Sequence, residues 1–120
     1  MSWEEKIEGI RYTIEIPIQS TDFISELYLT EWNEHSAWRY RIMFEGDRLR
    51  VMWSRKANMF EAFKPICELI YDSSFEEWPW FIDPEELVDA VEKLGVKKTY
   101  DLILDYIKTL FLEPFKEEVE

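Results

Sequence analysis

From Ile10 to Ile18 every second residue is apolar, with Arg11, Thr13 and Glu15 set between Ile10, Tyr12, Ile14 and Ile16. Side chains of a strand alternate between two faces, so this period of two, rich in β-branched residues, predicts a half-buried strand. Pro17 has no amide donor, which places that strand at a sheet edge or at the point where it leaves the sheet. Ahead of it, Ser2 with Glu5 reads as a capping box, and Trp3, Ile7 and Ile10 have helical spacing, so a short helical turn is expected. After the polar break at Gln19 to Asp22, Leu27 and Leu29 alternate with Tyr28, Thr30 and Trp32, side chains that suit a pleated surface. A second strand is expected there, although Ile24, Leu27 and Tyr28 also fit a helical stripe and leave residues 20–28 open between the two.

The next segment is a hairpin. Trp38, Tyr40, Ile42 and Phe44 alternate with Arg39, Arg41, Met43 and Glu45, and Gly46-Asp47 then turns into Leu49, Val51 and Trp53. Glycine first in a two-residue loop suits a type II′ turn. The resulting register sets Phe44 opposite Leu49, Ile42 opposite Val51 and Tyr40 opposite Trp53 on one face. Glu45 with Arg48, Met43 with Arg50 and Arg41 with Met52 occupy the other.

Beyond Lys56 the period changes. Met59, Phe60, Phe63, Ile66, Cys67 and Ile70 recur at three- and four-residue steps after Asn58, a cap residue, which predicts a helix kinked or begun near Pro65. Asp83-Pro84-Glu85-Glu86 is a helix start, with a cap, a proline in the first turn and acids at the positive end of the dipole. Gly95 ends that helix. Thr99 is expected to cap another, whose Leu102, Ile103, Tyr106, Ile107, Leu110 and Phe111 form an apolar stripe that stops near Pro114. The pattern predicts one α+β domain over residues 1–120. An antiparallel sheet of about four strands (about 10–56) is covered on one face by two to three C-terminal helices (about 58–112), and residues 116–120 form a frayed tail.

Composition narrows the function classes. A chain of 120 residues, 47% hydrophobic and 17% aromatic, is sized for one core. Its apolar runs fall far short of the ~20 residues that span a bilayer, so no membrane role is expected. The N-terminus carries no secretory or transit pattern, which points to the cytoplasm. Nineteen glutamates against Gln19, Asn33 and Asn58 as the only side-chain amides give a thermophile-like composition.

The net charge of −12 disfavours nucleic acid as a general partner. Charge is uneven, however. Residues 39–56 carry six basic residues against two acids, a net of +4. Arg39, Arg41, Arg48 and Arg50, beside Met43, Met52, Tyr28 and Trp32, could hold single-stranded nucleic acid by charge and stacking. The competing expectation is that these arginines pair across strands with Glu15, Glu26 or Glu45.

Parts for catalysis are few. His35 is the single histidine, in a polar turn, and Cys67 the single cysteine, on the apolar side of the expected helix, where a thiol behaves as a small hydrophobe. Glu86 with Asp89, and Asp101 with Asp105, share helix faces that solvated acids also produce, so no metal site and no catalytic residue is assigned. Gly9, Gly46 and Gly95 each suit a turn or helix end. No glycine-rich phosphate loop is present, and no cofactor is expected.

The remaining candidate is the aromatic linker with Phe75, Trp78, Trp80 and Phe81, too irregular to place every ring in a helix stripe. The leading expectation is therefore a non-enzymatic protein-interaction or regulatory module. It would dock a protein partner or a second copy of itself through this segment and an acidic helical face. A narrower version has acidic helices imitate the charge of DNA. A nucleic-acid binder using the arginine face is the alternative, and a small enzyme ranks third.

Overall fold

Glu8 and Gly9 both have positive φ, 51° and 84°, the backbone that a two-residue type I′ hairpin loop requires. In the computed structural model, which describes residues 1–17, 22–72 and 78–119 and the side chains through residue 111, that loop joins β1 (Ser2–Ile7) to β2 (Ile10–Glu15). Four strands follow: β3 (Glu26–Trp32), β4 (Ala37–Glu45), β5 (Arg48–Lys56) and β6 (Lys64–Asp72). Each pairs antiparallel with its neighbour in sequence, so the sheet runs β1-β2-β3-β4-β5-β6. A 3-10 turn at Trp80–Ile82 leads into α1 (Pro84–Leu94) and α2 (Val96–Val119).

The α+β order and the antiparallel sheet agree with the sequence pattern, but the element count is corrected from about four strands with two to three helices to six strands with two helices. Two stretches account for the difference. Residues 2–7 form β1 rather than a helical turn, because the Glu8-Gly9 loop folds them onto β2 with Trp3 opposite Ile14 and Ile7 opposite Ile10. The expected helix from residue 58 is instead a turn followed by β6. Pro65 would remove a hydrogen bond inside a helix, and an edge strand accommodates it. Cys67 is accordingly exposed on β6, not buried on a helix face.

Smaller corrections have local causes. Thr99 is not a cap: α2 begins at Val96, and the Thr99 hydroxyl donates back to the Gly95 carbonyl at 2.8 Å from inside the first turn. The helix also continues past Pro114 to Val119. β2 is an inner strand, and Pro17 lies just past the Ile16 amide, which donates to the Met1 carbonyl, so the chain leaves the sheet there. The β4–β5 register is the expected one at all six pairs. Gly46 has φ 66°, and Asp47 is not among the positive-φ residues, as a type II′ loop requires.

Both helices lie on one face of the sheet, with α2 against β1, β2 and β6 and α1 against α2. That face supplies Ile14, Leu27, Leu29, Ile42, Leu49 and Val51 to the core, and the helices add Leu87, Val91, Tyr100, Ile103 and Ile107. Among the described residues no helix is long and apolar enough to cross a membrane.

Candidate interaction surfaces

The uncovered face of the sheet holds the arginine cluster. Arg39 reaches across β3, where its Nε donates to Thr30 Oγ1 at 3.0 Å and its Nη2 lies 3.9 Å from Glu15. Its guanidinium sits 4.0 Å over the Phe63 ring and 5.1 Å over Tyr28. Burial pulls the Arg39 pKa below its ordinary value against the opposing charges of Glu15 and Tyr28. Arg41 pairs with Glu26, Arg50 with both Glu68 and Glu45, and Arg48 with Asp72 at 3.5 Å. Each candidate arginine thus has an acidic partner within the chain. Glu68 and Asp72 could not be expected in that role while their segment read as a helix and linker.

The aromatic linker divides. Phe75 lies outside the described residues. Phe81 is 0% exposed and packs against Phe44 and Tyr106 with ring centroids 6.0 and 5.5 Å apart. Trp80 is half-buried, edge-on to Phe81 at 5.7 Å. Trp78 is 45% exposed. With Phe23, Ser25, Phe44, Gly46 and Ile82 it lines an apolar cavity of about 480 Å³.

The sequence pattern gave no warning of the third surface, the free edge of the sheet at β6. Its residues Ile66, Leu69 and Ile70 are 50%, 44% and 50% exposed, and Cys67 is exposed between them. The opposite edge differs in kind. β1 presents Glu4, Lys6 and the half-buried Glu5, charges of the sort that discourage strand addition. β6 carries charge only at Lys64, Glu68 and Asp72, and Glu68 and Asp72 are bonded inward to Arg50 and Arg48. Among the described residues no strand pairs with the outer side of β6, and an edge flanked by isoleucine and leucine is a template for another strand.

On the helix-covered face, beside the core, a cleft of about 340 Å³ opens between the sheet and α2. Tyr12, Trp38, Tyr40, Trp53 and Tyr100 give it aromatic walls, and Glu31, Asp101, Lys97 and Lys108 bring charge. Trp38 and Trp53 stack at 5.0 Å with 21° between planes. Lys97 Nζ bonds Asp101 and lies 4.6 Å over the Tyr12 ring. Burial, then the charge of Glu31, drives the Tyr100 pKa far above the ordinary tyrosine value. Trp53 Nε1 is buried with no hydrogen-bond partner among the described residues.

The two residues weighed for catalysis are not joined. His35 is exposed in the β3–β4 turn with Glu34 at 3.8 Å, whereas Cys67 stands opposite Trp53 in β6. Among the described residues no three His, Cys, Asp or Glu side chains gather as a metal site. Comparison with protein-family models, with curated proteins and with solved structures finds no match.

Proposed function

We propose that this chain is a non-enzymatic interaction module that associates with a second copy of itself by antiparallel pairing along β6. The observation that carries the reading is the apolar stretch of the β6 edge beyond Pro65 and the bulge at Ile66, set against a charged edge at β1. Strand addition supplies backbone hydrogen bonds for affinity, and alternating side chains supply specificity.

A second copy is the occupant because β6 is complementary to itself. Two-fold pairing keeps side chains of equal parity opposite one another. Past the bulge at Ile66, in the register centred on Glu68, Cys67 of each copy faces Leu69 of the other, both on the helix-covered side of the sheet. Each Glu68 stays neutralised by its own Arg50. The arginine face is not adopted as a nucleic-acid site, since a phosphate there would have to displace Glu15, Glu26, Glu45, Glu68 and Asp72 from guanidiniums they already hold.

Sedimentation velocity from about 1 to 100 µM tests the reading, because association follows mass action. A concentration-dependent dimer is expected, and Ile70→Lys, which gives β6 the kind of charge β1 carries, should return it to monomer with unchanged circular dichroism. A wild-type monomer throughout that range, or a variant that dimerises equally well, would contradict it.

A further inference from the structure

We infer that the cleft between the sheet and α2 is a binding site for an organic ammonium ion, a ligand whose positive charge is carried on alkylated or primary nitrogen. Glu31 lies on the sheet floor, in register between Tyr12 of β2 and Trp38 of β4. It is half-buried, and no cation lies within ion-pair range of it among the described residues. Of the two lysines that line the cleft, Lys97 is bonded to both oxygens of Asp101 at 2.6 Å, and Lys108 forms no ion pair with Glu31 among the described residues. Burial and then the Glu31 charge raise the pKa of Tyr40 and Tyr100.

An unpaired carboxylate surrounded by five aromatic rings is the arrangement that attracts a cation through ring faces as well as through charge. The walls already do this with the chain's own cations: Lys97 covers Tyr12, and the Arg55 guanidinium lies 4.9 Å over Trp38. A hard metal ion would need several oxygen ligands, and Glu31 supplies one carboxylate where Asp101 is committed to Lys97. A flat heteroaromatic ring has no slot, because Trp38 and Trp53 stack on each other. The net charge of −12 concentrates cations near the protein. The site lies on a face of the sheet and is independent of the β6 edge.

Choline serves as the probe, and its uncharged isostere 3,3-dimethylbutan-1-ol as the control of equal shape. Indole N–H signals of Trp38 and Trp53 are followed by nitrogen-correlated NMR at constant ionic strength. Saturable shifts with choline, none with the neutral isostere, and binding about ten-fold or more weaker in Glu31→Gln are expected. Absence of a saturable shift, equal shifts with both probes, or equal binding by a well-folded Glu31→Gln would overturn the assignment. The choline and isostere arms use the wild-type chain alone, so the test stands even where the variant does not fold.

Discussion

The Glu5 carboxylate in β1 accepts a hydrogen bond from the Lys97 amide in the first turn of α2, at 2.8 Å and across 92 positions of sequence. The residue before α2 is Gly95, which has no side chain to cap it, so the cap comes from the sheet. Glu5 thereby ties the first strand to the last helix. Glu5→Ala should lower stability by about 0.5–2 kcal/mol, the range for a lost N-terminal cap. Denaturant titration measures it, and a loss within error would show that the cap contributes nothing.

Gly95 joins α1 to α2 at φ 86° and ψ 167°, a region essentially reserved for glycine. An added Cβ would lie 3.6 Å from Glu5 Oε1, an ordinary contact, so the cost of substitution is backbone strain. Gly95→Ala should destabilise by about 1–3 kcal/mol. A melting temperature equal to that of the wild type would refute the strain.

Of the aromatic linker, Phe81 and Trp78 should separate in their effects. Phe81 is fully buried among Phe44, Trp80 and Tyr106, and Phe81→Ala should cost about 3–5 kcal/mol. Trp78 is 45% exposed, and its alanine variant should cost well under half of that. Equal losses would show that Trp78 belongs to the core.

Glu68 gives a pH dependence of known sign. Its hydrogen bond to Arg50, and then Arg50's charge, lower its pKa in the fold. Its contribution is therefore present above the usual carboxylate range and is lost as pH falls through the lowered value. In an Ile70→Lys background, expected to be monomeric, Glu68→Gln should lose less stability between about pH 6 and pH 3 than the parent does. Parallel acid limbs would remove Glu68 from the account.

Where local chemistry dominates, the fold was legible from the chain. The Gly46-Asp47 loop and the alternation around it set the β4–β5 register, and Asp83-Pro84 marked α1, whose Asp83 carboxylate accepts from the Glu85 amide at 2.9 Å. β1 was hidden because Glu5 occupies an inward position for the sake of a distant helix. β6 was hidden because Pro65-Ile66-Cys67 and Leu69-Ile70-Tyr71 are short apolar runs, compatible with helix or strand by spacing alone. Pro65 was the available signal, being costly in a helix and tolerated at a sheet edge. With β6 misread, the arginine partners Glu68 and Asp72 were also out of view. The cleft needed tertiary structure, since Glu31, Trp53 and Tyr100 come from three separate elements.

The pairing of β6 with β6 is tested most directly by its geometry, and Cys67, the single cysteine, is placed to report it. In the Glu68-centred register the two Cys67 side chains are diagonal neighbours, roughly 7–8 Å apart. A thiol-to-thiol crosslinker of that span should convert the wild-type protein to a covalent dimer. Cys67→Ser carrying Glu4→Cys, which moves the thiol to the β1 edge, should give no covalent dimer under the same treatment. Failure of Cys67 to crosslink at concentrations where the protein sediments as a dimer, or equal crosslinking from position 4, would contradict edge pairing at β6.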